Sequence, residues 1–432
     1  MVKLTRSFLR FFAILGILLL SFGLANSSSR EEMHKKTAIL IKGGTIYTIT
    51  RGVIHQGSIL IRDGKIQKFG KNLVVPKDAF VLEARDKWIM PGLIVAQSSP
   101  IALFSIARGD SHPRIYNYLD PFSLQLRLCL ASGITTFSPN ISMRRATAKK
   151  GYSYINAVVK PIYGRLKEML IREPAYLYID MALLKPSEKD ELRGFLQRAR
   201  EFIIKEREYK MNEAKKEAKA PVLPLDLKNY VAILKKELPV RFYADRIKDI
   251  LKVLAFVDEF DIHAQILGAG EGWLLAEEIG RRNISTIIQP EGFLKLDPYV
   301  YPPNGSSIKN ALIQKSKGIK FAITSTSSYI SIGGRMGNDL LTFPLAAAFA
   351  IRGGLEEADA LKAITLWPAE LMGISHRVGS LEEGKDADII ILDGNPFDYR
   401  TYVEYTIING EILYDKSKSS LYKKIPKPKR MF

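Results

Sequence analysis

The sequence predicts an α/β protein in which a (β/α)8 barrel carries a split β-sandwich formed from the N- and C-terminal segments. Strand and hairpin patterns occupy residues 38–90 and return over 376–415. Between them, over 91–375, short apolar runs alternate with helical patterns, which implies parallel strands. At 47% hydrophobic and 25% charged residues, the 432-residue chain has enough apolar content to fold along most of its length, which excludes general disorder.

The elements follow in chain order. Lys3, Arg6 and Arg10 precede an apolar run from Phe11 to Leu20 and the small-residue stretch ending Gly23-Leu24-Ala25. A charged start, a greasy centre and small residues at its end define a secretory signal over 1–25. Its apolar stretch, about 15 residues, is shorter than the roughly 20 a membrane-spanning helix needs. The expected location is therefore secreted or periplasmic, the alternative being an uncleaved membrane anchor. Residues 26–37 are polar and read as a flexible lead-in.

In 38–90, Ser58–Arg62 and Lys65–Phe69 flank Asp63-Gly64, a dipeptide suited to the positive φ angles of a two-residue hairpin. The C-terminal segment repeats this style, with Thr406–Ile408 and Glu411–Leu413 flanking Asn409-Gly410. Neither segment is large enough to bury a core alone, so one sandwich from both is expected. Within the middle part, Pro239–Ala244, Ile284–Ile288 and Ile319–Thr324 read as buried strands, and Arg246–Phe256 and Glu271–Arg282 as helices. Residues 186–220 read as a solvated, charged helical arm, with Leu192, Phe195, Leu196, Ala199 and Ile203 at helical spacing.

The single cysteine, Cys129, excludes an intrachain disulfide and a cysteine-cluster zinc site. The net charge of +19 favours anionic contacts, but no nucleic-acid motif accompanies it, so no nucleic-acid partner is expected. The basic tail, 416–432, holds six Lys and one Arg and is suited to an anionic surface.

Ile39-Leu-Ile-Lys-Gly-Gly-Thr-Ile46, Ile61-Arg-Asp-Gly-Lys-Ile66 and Ile89-Met-Pro-Gly-Leu-Ile94 resemble the opening of the amidohydrolase superfamily. Ala363–Glu370 and Arg377–Asp388 resemble that family's return from barrel to sandwich. The resemblance implies a TIM-like barrel in which one or two divalent ions turn a bound water into hydroxide. It also implies where the metal ligands belong: a His-X-His pair after the first barrel strand, a carboxylated lysine on the fourth, one histidine each on the fifth and sixth, and an aspartate on the eighth.

At each implied position this chain carries another residue. The slots fall on Gln97 and Ser99, then Tyr178, Tyr243, Gly268 and Thr326. Of the five histidines, His34, His55 and His376 belong to segments outside the barrel, leaving His112 and His263. No metal or other cofactor and no catalytic residue is therefore expected. Asp180, Asp245 and Arg241 are the charged residues nearest the presumed pocket, read either as strand-end charges or as pocket groups. Ser98, Ser99, Ser325 and Thr326 make the mouth hydroxyl-rich.

The expectation for function is a non-catalytic, exported amidohydrolase-like protein. It would bind a small polar ligand, or associate as a homo-oligomer or with a metal-competent relative. The alternative is a hydrolase of carbon–nitrogen bonds with an atypical site.

Overall fold

The computed structural model describes residues 38–98, 101–103, 114–139, 153–212, 220–296, 299, 303–325, 330 and 340–420. The signal segment, the lead-in, Ser99, Thr326, His112, residues 213–219 of the arm and residues 421–432 of the tail lie outside them. Five strands come first: β1 (Ala38–Tyr47), β2 (Val53–Arg62), β3 (Lys65–Gly70), β4 (Ala79–Glu83) and β5 (Trp88–Pro91). Eight follow: β6 (Leu93–Ser98), β7 (Ile134–Pro139), β8 (Ser153–Val159), β9 (Leu170–Asp180), β10 (Val240–Ala244), β11 (Ala264–Gly268), β12 (Ser285–Ile288) and β13 (Phe321–Ile323). The last are β14 (Ile389–Leu392), β15 (Val403–Ile408) and β16 (Glu411–Asp415).

The first five strands and the last three make one sheet, in the order β16-β15-β14-β5-β1-β2-β3, with β4 against β1. The two chain ends join where β14 pairs antiparallel with β5, Ile391 opposite Ile89. Apolar residues from both ends share one buried cluster, including Ile41, Ile59, Ile89, Ile389 and Ile407. Both hairpins have the expected turns: Asp63 and Gly64 at φ 51° and 75°, Asn409 and Gly410 at 50° and 75°. The sheet curls until these two turns touch. A Cβ on Gly64 would stand 2.9 Å from the carbonyl oxygen of Asn409, so the contact tolerates only glycine.

Strands β6 to β13 form the second sheet in sequence order, a nearly closed barrel. The Thr324 hydroxyl donates to the carbonyl of Gln97 at 2.9 Å, tying the end of β13 to β6. Helices pack outside. In Ile247–Phe260, buried Ile250, Val253, Leu254 and Val257 repeat at helical spacing, and Phe256 meets Phe242 of β10 edge-on at 5.8 Å. The 186–212 helix is less solvated than its charge suggests. Leu192, Leu196 and Ala199 are buried, and Phe195 stacks on Tyr230 at 4.8 Å.

One strand departs from the expected parallel arrangement. β8 runs antiparallel to both β7 and β9. Only residues 160–169 separate β8 from β9, with a single four-residue helix, Leu166–Met169. A parallel return needs a crossover of a dozen residues or more, so the chain turns back as a hairpin.

The reversal delivers Lys160, just past β8, to the terminal sheet. Its ammonium is 1% exposed and donates to Asp386 Oδ2 and Asp388 Oδ1, both at 2.9 Å, and to Asn409 Oδ1 at 2.6 Å. Arg377 and Lys65 also pair with Asp386. Burial pushes the Asp386 carboxyl up, but these cations outweigh it and hold it down at about 2. For the fully buried Asp388, burial wins over Lys160 and the carboxyl is raised.

Asp386→Asn is expected to cost about 3 kcal/mol at neutral pH, because it leaves the Lys160 charge under-compensated. The depressed carboxyl stabilises the fold above its unfolded value, near 4, and that contribution is lost as pH falls toward 2. Denaturant titrations should therefore show the wild-type advantage shrinking across that window.

Candidate functional site

Parallel strands that pair residue for residue point partnered side chains to the same face, and successive residues alternate. Arg241 of β10 pairs with Tyr178 of β9 and Gln265 of β11, and Tyr243 pairs with Asp180 and Leu267. Tyr176, Tyr178 and Asp180 therefore share the lumen with Arg241, Tyr243 and Gln265. Phe242 and Ala244 face the surrounding helices.

Arg241 is fully buried and crosses the barrel. Its Nε donates to Gln265 Oε1 at 2.9 Å. Its Nη1 donates to the Ala96 carbonyl at 2.5 Å and to Gln97 Oε1 at 3.1 Å, both on β6. The guanidinium lies over the Tyr176 ring, 3.6 Å from its centroid. The Tyr176 hydroxyl in turn donates to Gln97 Oε1 at 2.8 Å, accepts from Asn156 Nδ2 at 2.7 Å and lies 2.8 Å from Ser138 Oγ. Gln265 Nε2 donates to the Leu371 carbonyl at 2.6 Å. Charge-assisted hydrogen bonds and a cation over a ring offset the cost of taking a guanidinium out of water.

Above this layer, burial and then the charges of Asp245, Asp180 and Asp249 push the Tyr243 phenol up to about 12, so it stays protonated. Asp180 accepts from the backbone N–H groups of Ala182 and Leu183, each at 3.1 Å. Asp245 accepts from the Gly270 N–H at 2.8 Å. Both carboxyls are raised by burial, against those hydrogen bonds. Asp180 thus caps the loop after its own strand, and Asp245 ties the end of β10 to the loop after β11.

Gly268 pairs with Ala244, on the face opposite Gln265 and Leu267, and offers no side-chain donor. His263 precedes β11 at the barrel end away from the mouth. Among the described residues, no group of three or more His, Cys, Asp or Glu side chains is placed to hold a metal. Also among them, no helix is long and apolar enough to cross a membrane.

Of the residues singled out from sequence, the structure unites Gln97 and Arg241 directly, and sets Tyr178, Tyr243 and Asp180 on the same lumen. Ser99 and Thr326 lie outside the described residues. Sequence reasoning passed over Tyr176, Asn156, Ser138 and Gln265. The signal was present in part: Tyr176-X-Tyr178-X-Asp180 alternates, and Gln265 interrupts an apolar strand.

Arg241→Met keeps the side chain's length but withdraws the donors to Ala96 and Gln265. It should cost about 3 kcal/mol in stability, with Arg241→Lys recovering only part, since an ammonium cannot reproduce the planar fork. Thermal melts of the three proteins check this.

Residues 335–414 match the family model for the Amidohydrolase family. The chain superposes on the amidohydrolase of Thermotoga maritima with a TM-score of 0.71 at 23% identity, over 87% of this chain and 100% of that one. The imidazolonepropionase of Thermoplasma acidophilum is 31% identical over 107 residues, 23% of this chain and 24% of that protein. The dihydroorotase of Anaeromyxobacter dehalogenans is 36% identical over 56 residues, 13% of each. The matched stretches thus span a quarter or less of these two curated relatives. The barrel and terminal sheet thus share the fold of the Thermotoga maritima amidohydrolase, and residues 335–414 carry the sequence pattern of the Amidohydrolase family.

Proposed function

We propose that this protein is an exported binding protein on an amidohydrolase scaffold, without metal-dependent hydrolysis. The observation that carries this is the Arg241 guanidinium, 3.1 Å from Gln97 Oε1, in the part of the barrel where the family's chemistry takes place. The donor set there suits a divalent ion poorly. The Gln97 oxygen already accepts from Arg241 and Tyr176, and its nitrogen carries hydrogens. The Tyr243 phenol stays protonated, Gly268 supplies nothing, and a fixed positive charge opposes a second cation.

Metal analysis tests the proposal. Protein purified at neutral pH should hold far less than one zinc per chain, and a chelator should leave its thermal midpoint unchanged. One tightly held divalent ion per chain would overturn it. Export rests on the 1–25 segment: cell fractionation should place the protein outside the cytoplasm, and mass spectrometry should find a chain beginning after Ala25.

A second reading, hydrolysis of a carbon–nitrogen bond with Asp180 or Asp245 as base, draws support from the raised carboxyls of both. Their hydrogen bonds to loop backbone weigh against it. Turnover of a cyclic amide that disappears in Asp245→Asn would favour this reading over the first.

A further inference from the structure

A cavity of about 220 Å³ lies where the lower end of the barrel meets the terminal sheet. Leu93, which begins β6, and Ala131 and Ser132, just before β7, line it, so this is the end of the barrel opposite the mouth. Ile390 of β14 and Val403 of β15 supply the sheet side, and Pro344 and Leu345 of the 344–352 helix a third wall. The link between β14 and β15 adds Tyr399, which is 72% exposed, and Tyr402. That link is closed on itself. The Asp393 N–H donates to the Tyr402 carbonyl at 3.1 Å, the Tyr402 N–H to Asp393 Oδ1 at 2.8 Å, and the Thr401 N–H to the Asp398 carbonyl at 2.9 Å. The cavity is therefore preformed, because the link would have to give up these bonds to collapse into it.

The polar groups of the lining are already engaged. The Ser132 hydroxyl donates to the Leu128 carbonyl at 2.8 Å. Asp398, the charged residue of the lining, accepts from the Arg400 guanidinium at 2.9 and 2.6 Å. The Lys416 ammonium lies over the Tyr402 ring, 4.4 Å from its centroid. Pro344 begins its helix without an N–H to offer. An ion entering here would shed its water without gaining a partner. Water itself finds few partners in such a space, and unfilled apolar walls forfeit dispersion contacts. An apolar cavity of roughly 150 Å³ holds benzene. This one is larger, and the tyrosine rings in its lining suit the face or edge of another ring. We propose that this cavity binds a small, neutral aromatic molecule of one ring or two fused rings. Concave, mostly apolar sites at the seam between two parts of a fold are common places for small molecules to bind. The proposal goes beyond the reading of the mouth and stands whatever the mouth holds.

The test is calorimetric titration of the full-length protein with phenol and indole, and with the charged single-ring compounds benzoate and benzylamine. Phenol and indole should bind saturably at one site per chain, and the charged compounds about tenfold more weakly or worse. Thr401→Trp places a large ring in the lining and should abolish binding. Tyr399→Ala removes a ring from the lining at an exposed position and should weaken binding severalfold. Absence of saturable binding by phenol and indole, charged compounds binding as well as neutral ones, or unchanged affinity in Thr401→Trp would each overturn the proposal. Should Thr401→Trp fail to fold, the Tyr399→Ala protein and the contrast between neutral and charged rings decide.

Discussion

The barrel depends on one buried guanidinium. Arg241 starts on β10, reaches β6 through Ala96 and Gln97, bonds β11 through Gln265 and lies on the Tyr176 ring of β9. A side chain long enough to cross an eight-stranded lumen, carrying five N–H donors in a rigid fork, is what such a span requires. The resemblance to amidohydrolases assigns metal ligands to the first, fourth, fifth, sixth and eighth barrel strands. Arg241 links the first four of these, and of the assigned positions it bonds Gln97. The order it imposes on Gln97 and Tyr176 follows from its inability to accept a hydrogen bond.

A second buried cation performs the corresponding task between the two sheets. Lys160 reaches the terminal sheet only because β8 runs against its neighbours, so a local matter of loop length decides where a charge is delivered. Its acceptors, Asp386, Asp388 and Asn409, sit beside β14 and at the β15–β16 turn. Barrel and sheet are therefore fastened by one group of charges in which Lys160 stands 226 residues before Asp386 in sequence. Apolar burial alone could slide; ionic hydrogen bonds with fixed directions set the relative position of the two parts.

Much of this was legible in the sequence, and the reasons are local. Asp63-Gly64 and Asn409-Gly410 announce their turns because few other dipeptides accept two successive positive φ angles. The strands at Val240–Ala244, Ser285–Ile288 and Phe321–Ile323 stand out as short apolar runs between helices. The reversal of β8 was not legible, because an apolar run carries no direction and only the short, Pro- and Gly-bearing link after it limits the path. Tyr176, Asn156 and Ser138 were overlooked for a related reason. A polar side chain in a strand acquires meaning from the residue it faces across the lumen, and that partner lies on another strand. Arg241 was noticed as a nearby charge. Its role as a spanning group needed the register of β9, β10 and β11.

The pairing of β14 with β5 also orders events in the life of the chain. During synthesis β1 to β5 emerge first, yet the strand that covers the edge of β5 begins only at Ile389. For most of translation that edge stands open, with Ile89 and Met90 lacking the neighbours that later bury them. Closing so long a loop is entropically slow, and unpaired strand edges recruit one another in the meantime. A chain shortened before Ile389 keeps that edge open for good.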